Sequence, residues 1–242
     1  MVEEQEEAGD EEEATAAARR PWADVHPAVR PFAAAWRAIR DWWGELLVLA
    51  VTCFAWLVLA LTVVGAPPAT AALYSMARAT ALHEHPDARL FLAGLRAYFG
   101  KSWALGAIGL SGVLFWLVDL LLYGAMAQDF GGLAWFGAVL IAYFGVVWAQ
   151  TLFYAWPMMV CRDDLKVVDL LRNGIILSMR YPLHNFVTTL FAALLLAITI
   201  LYIPPLIALA TPALLALLGL HNLYLMAPEL VPEDIATLQI VG

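Results

Sequence analysis

Charge is scarce in this chain and cysteine scarcer still. Only 14% of the 242 residues are Asp, Glu, Lys or Arg, against about 25% in a soluble domain. That shortage excludes an ordinary globular protein, a coiled coil and a disordered chain. The two cysteines, Cys53 and Cys161, are far apart and have no Cys or His at ligand spacing. A disulfide framework and a cysteine metal site are therefore excluded, and both thiols read as packing residues. Positive charge is also in short supply, with 13 Lys and Arg against 21 Asp and Glu. Nothing is left over to neutralise nucleic-acid phosphates. A basic n-region is lacking at the N-terminus too, so the chain does not begin as a signal peptide does.

What is present is apolar: 63% of the residues are aliphatic, aromatic, Met or Cys, and the mean hydropathy is +0.76. The fold class this predicts is all-α, a polytopic helical bundle in a membrane. The acidity is local. Eight of the 21 acidic residues precede position 14, and the remainder has 13 acidic and 13 basic residues. Residues 1–20 read as a solvated, disordered cytoplasmic leader, with a docking tail for a basic partner as the functional alternative. Residues 21–228 form a single transmembrane domain, and 229–242 a short cytoplasmic tail.

Spanning a bilayer takes about 20 apolar residues in a helix. Leu46–Val64, Trp103–Tyr123, Leu133–Phe153 and Phe186–Tyr202 qualify, and Leu206–Met226 follows the Pro204-Pro205 turn. Trp42, Trp43, Trp103, Trp116, Trp135 and Trp156 are expected near the ends of the spans, as interfacial anchors. Five spans would divide the basic residues between the two sides of the membrane, against the positive-inside rule. A short sixth helix over Pro67–Leu82, roughly 24 Å long, removes the conflict. All 13 Lys and Arg then face the cytoplasm, as do both termini.

Three amphipathic segments precede the hairpins. Val29–Arg40 sets Phe32, Trp36 and Ile39 against Arg30, Arg37 and Arg40. Asp87–Lys101 sets Phe91, Leu95 and Phe99 against Arg89 and Arg96. Leu165–Arg180 sets Val168, Leu171, Ile175 and Met179 against Lys166, Asp169, Asn173 and Arg180. Such helices suit an anionic inner leaflet, so the lipid bilayer and its anionic headgroups are expected partners. Interfacial helix plus hairpin makes three pseudo-repeats, about 29–82, 87–160 and 165–226. The plan resembles that of mitochondrial carriers but lacks their acidic-and-basic signature after a kinking proline, so no mechanism carries over.

Polar groups at membrane depth are the candidate substrate-binding residues. Asp119 falls in the outer part of a long helix; a water-capped interfacial aspartate competes with a proton or substrate site. Glu45 and Gln150 sit near inner helix ends. His184-Asn185 and His221-Asn222 form a repeated pair at one cytoplasmic level, available for interhelical hydrogen bonds or for a ligand. Gly65, Pro67 and Pro68 make a structural turn. Thr70, just after it, serves either close helix packing or a substrate-lining half-helix. His83-Glu84-His85-Pro86-Asp87 holds ligand-type residues, but neighbours ahead of a proline rarely converge on one ion, so it reads as an exposed turn. No metal, cofactor or enzymatic constellation is expected.

The run GAPPATAALYSMARATAL (Gly65–Leu82) followed by FLAGLRAYFGKSWALGAIGL (Phe91–Leu110) resembles the YesL-like family of small bacterial membrane proteins. The positions that carry the likeness are Gly65, Pro68, Ala69, Thr70, Ala71, Ala72, Tyr74, Arg78, Phe91, Arg96 and Phe99. Pro157 and Asp164-Leu165 through Arg180 look like the family's second half. The likeness covers about residues 30–226. The double proline departs from a more usual Gly-Pro, and the acidic leader lies outside the pattern. The family is defined by a domain of unknown function. What the resemblance implies is a bacterial cytoplasmic-membrane protein with an accessory or regulatory role in solute uptake, carbohydrate being favoured by association. A transporter subunit or a second copy would then be its partner. A small transporter or channel with a site between the hairpins is the alternative.

Overall fold

A computed structural model describes residues 29–201 and 209–227. The leader over 1–20, the Pro204-Pro205 turn and the tail over 229–242 lie outside the described residues. The described chain is helical: α1 (Arg30–Gly44), α2 (Leu46–Ala60), α3 (Ala66–Ala81), α4 (Ala88–Ala97), α5 (Phe99–Phe130), α6 (Gly132–Cys161), α7 (Val167–Arg180), α8 (Pro182–Leu201) and α9 (Thr211–Met226).

By length and composition, three stretches can cross a membrane: Phe99–Met126, Trp135–Cys161 and Pro182–Leu201. The α1–α2 pair, bent by 96° at Glu45, makes a fourth if counted as one broken span, and α9 is a shorter apolar helix. The helix expected over Pro67–Leu82 forms as α3, opened by prolines whose missing N–H groups cost nothing in a first turn.

The middle of the bundle is built from α3, the inner half of α6, and α9, all packed on one another. Ala71, Ala77, Tyr154, Met158, Leu217 and Leu220 close it with essentially no exposure. Small residues on α3 let the backbones approach closely, and Tyr74 stacks on Trp156 with ring centroids 6.4 Å apart.

Around this centre one relation repeats. The amphipathic helix α4 packs on α3, α7 packs on α6, and α1 packs on α9. Each amphipathic helix therefore packs on one of the three helices that build the middle of the bundle. Gly94 and Gly174 allow two of these contacts. A Cβ at Gly94 would come within 2.7 Å of Ser75 Oγ, and one at Gly174 within 2.6 Å of the Thr151 carbonyl oxygen. In α1 the packed face is Ala34, Ala38 and Asp41, while the Phe32, Trp36 and Ile39 stripe is exposed. An apolar stripe left outside the bundle suits insertion among lipids.

The outer parts of α5 and α6 pack mainly on each other. Trp148 covers Gly112 and donates to the Gly109 carbonyl at 3.3 Å. Trp116 covers Gly145 and donates to the Ile141 carbonyl at 2.9 Å, and Tyr123 lies on Gly137. This corrects the placement of Trp116 at a span end: it sits inside α5. Its ring needs a groove without a Cβ, which Gly145 provides.

Candidate functional site

The candidate polar residues divide into separate groups. His184, at the start of α8, has Nε2 2.6 Å from Asn222 Oδ1 on α9, and Thr188 donates to the same oxygen at 3.3 Å. The Asn222 carbonyl oxygen can accept both only if Nε2 carries the hydrogen, which leaves Nδ1 as the buried atom without a partner. Asn185, the next residue, points elsewhere. Its amide donates to the carbonyls of Leu177 and Ser178 at 3.1 and 2.8 Å, and its oxygen accepts from Tyr154. Adjacent helical positions are about 100° apart, so the two members of the pair serve different neighbours.

His221 does not join His184. Its Nε2 lies 2.8 Å from Asp41 Oδ2, and both side chains are 3% exposed. Asp41 is the residue that sequence reading missed. It reads as one more charge on an amphipathic helix, and only the seating of α1 on α9 turns it inward. The available signal was its register, three residues after Ala38 and seven after Ala34 on a face of small residues. Arg40 Nε adds a contact at 3.2 Å from the exposed side.

Thr70 accepts a hydrogen bond from Trp56 Nε1 at 3.1 Å and donates back to the Ala66 carbonyl at 2.9 Å. It thus ties α2 to α3 just inside the turn. Gly65 has no room for a Cβ, which would lie 2.7 Å from the Leu59 carbonyl oxygen. Pro67 packs on Gly106 of α5 and Pro68 is buried. Asp119 is half-buried on α5 and lines an outward groove of about 520 Å³ with Trp116, Phe144 and Trp148. That groove does not contain the His-Asn pairs.

Two further sites show the polar ends of the bundle. Glu45 lines a cavity of about 360 Å³ with Arg40, Asp41, Thr80, His83 and His85. Gln150 on α6 donates to the Asn185 carbonyl at 2.9 Å and contacts Thr189, while its own oxygen is buried without a donor. Beyond the spans, two hydrogen bonds from Arg162 hold the Asp164 carboxyl down at about 2.

The helices and their apolar surfaces define an all-helical membrane protein. Residues 49–120 match the model of a family described as "Protein of unknown function, DUF624", the family to which the YesL-like proteins belong. The resemblance carried by Gly65–Leu82 and Phe91–Leu110 falls inside that match. No curated protein and no solved structure matches the chain.

Proposed function

We propose that this protein is a multi-pass, non-enzymatic accessory subunit of the bacterial cytoplasmic membrane, acting with a solute-uptake system, carbohydrate uptake being the favoured class. In this reading α2, α3, α5, α6, α8 and α9 are the six membrane helices. The amphipathic α1, α4 and α7 lie on the cytoplasmic leaflet, with their arginines among anionic headgroups and both termini inside. The observation that carries the reading is the filled centre: Tyr154, Met158, Leu217 and Leu220 occupy the place where three helices meet, and around it His184 pairs with Asn222 and His221 with Asp41 through their Nε2 atoms. A protein so closed acts through its outer surface, where the α5–α6 hairpin displays exposed Leu, Phe and Val side chains.

Purification of the full chain from its own membranes in mild detergent tests this. Reproducible recovery of a transporter component is the expected result, and recovery of the protein alone would overturn it. A label placed at His85 should react only from the cytoplasmic side; reaction from outside would break the topology.

A second reading, a small transporter or channel, draws on the unpaired oxygen of Gln150. It lies in a groove of about 400 Å³ between α6, α7 and α8. That reading expects solute flux in proteoliposomes, reduced by changes at Asp119, His184 or Gln150. Absence of flux for sugars, sugar acids and simple ions would retire it.

A further inference from the structure

Arg78 is the only arginine of α3, and among the described residues no carboxylate forms an ion pair with it; the Asp163 carboxylate on that side accepts instead from Tyr98 Oη at 2.6 Å. Its Nη1 donates to the Val160 carbonyl at 3.0 Å, in the last turn of α6. Its Nε is buried with no hydrogen-bond partner. One carbonyl and the negative end of a helix offset part of its charge. The Nε edge, which binds oxyanion oxygens in pairs, remains unused.

Arg78 also lines a cavity of about 300 Å³, together with Ser75, Glu84, Leu90, Tyr98 and Val160. Glu84 reaches the cavity because α3 ends in a Schellman turn. His83 adopts φ +56°, His83 N–H donates to the Thr80 carbonyl at 3.0 Å, and Glu84 N–H donates to the Ala79 carbonyl at 2.9 Å. The turn brings an exposed carboxylate to the same cavity as the arginine without pairing the two. Tyr98 immediately precedes the span Phe99–Met126, and Val160 lies at the end of the span Trp135–Cys161. The cavity is therefore at a membrane boundary, the level of lipid phosphates.

We propose that this cavity binds a phosphate ester that carries a hydrogen-bond donor beside the phosphate, with Arg78 holding the oxyanion and Glu84 accepting from the neighbouring ammonium or hydroxyl. A membrane phospholipid headgroup and a dissolved phosphate ester both offer that chemistry. The boundary position and the apolar Leu90 at the rim favour the headgroup.

The test uses the delipidated full chain in detergent and native mass spectrometry. Phosphatidylethanolamine and phosphatidylglycerol carry the donor and should bind; phosphatidylcholine lacks it and should bind about tenfold more weakly. A parallel titration uses soluble phosphoethanolamine and glycerol phosphate. Arg78→Gln should weaken binding about tenfold or more, with Arg78→Lys intermediate. Glu84→Gln should remove the preference over phosphatidylcholine. Ala93→Trp, which fills the cavity from its exposed side and leaves Arg78 itself unsubstituted, should abolish binding, whereas Arg96→Gln on the outer face of α4 should not. Binding of lipids assigns the cavity to a headgroup, and binding of the soluble esters alone assigns it to a dissolved ligand. Failure of both to bind, or equal binding by Arg78→Gln and Ala93→Trp protein of unchanged melting temperature, would overturn the proposal.

Discussion

The short helices α3 and α9 and the long helices α5 and α6 end in opposite surroundings. Each of the short ones has 16 residues, most of them buried. The long ones have 32 and 30 residues, and only 11% and 22% of their spanning windows are buried. α3 is rich in Ala, with Thr, Ser and an Arg; α5 and α6 display Leu, Phe, Val and Trp. The difference teaches that apolar character by itself does not decide between lipid and protein surroundings, since α9 is as apolar as α5 and yet is buried. In α3 burial goes with small side chains, because close backbone approach is what protein contact adds; the equally buried α9 is rich in Leu and fills the centre with leucines.

The comparison breaks most sharply at the Asp41–His221 pair. Asp41→Ala or His221→Ala leaves one buried polar partner stranded and should cost about 3–5 kcal/mol. Thermal unfolding in detergent should show the loss, and Cys53 and Cys161, both buried, should become reactive to maleimide. Next comes Gly174→Ala, where the Thr151 carbonyl blocks the new methyl group; about 1–3 kcal/mol is expected. In the outer hairpin, Gly145→Val must expel Trp116 from its seat. Tryptophan fluorescence should shift and proteolysis near Gly131 should rise, while both cysteines stay protected. If those cysteines react, the hairpin and the centre are one cooperative unit and the contrast drawn above fails. Asp119→Asn should move the melting temperature by less than about 0.5 kcal/mol equivalent, since it touches no polar partner that the fold requires.

The smallest effect belongs to Asp164, outside the spans. Arg162 lowers its carboxyl to about 2. A lowered carboxyl contributes stability that is present above its ordinary value, near 3.8, and lost as pH falls toward 2. Asp164 is exposed and Arg162 only partly covered, so Asp164→Asn should alter the melting temperature only slightly and remove only that acid-limb slope. A large change at neutral pH would show that the loop does more than cap α6.

Much of the fold was legible in particular residues. Pro67 and Pro68 marked the start of α3 because proline suits a first helical turn. The arginine distribution argued for a helix there, and a helix forms. Spacings of three and four marked α1, α4 and α7, although the same pattern left open which face would meet the bundle. For α1 the small-residue face won, because lipid can accept Phe32, Trp36 and Ile39, while only Ala34 and Ala38 let α1 lie close on α9.

The candidate site was less legible. His184-Asn185 and His221-Asn222 look equivalent in sequence, yet their partners are Asn222, Tyr154 and Asp41. Those partners come from helices 31 to 180 positions away, and no local pattern encodes such separations. Arg78 and Glu84 likewise read as a helix-end cation and a turn residue.

By itself, the sequence determined the apolar character of this protein and the alternation of amphipathic and apolar helices, because periodicity and charge are local properties summed along a chain. Only the tertiary structure decided which apolar faces meet protein and which are left to lipid. It also decided that α1 packs on α9, and that one arginine lining a cavity keeps an unused edge. These depend on close approach between distant segments, where a single missing Cβ or an inward-turned carboxylate selects one packing over another.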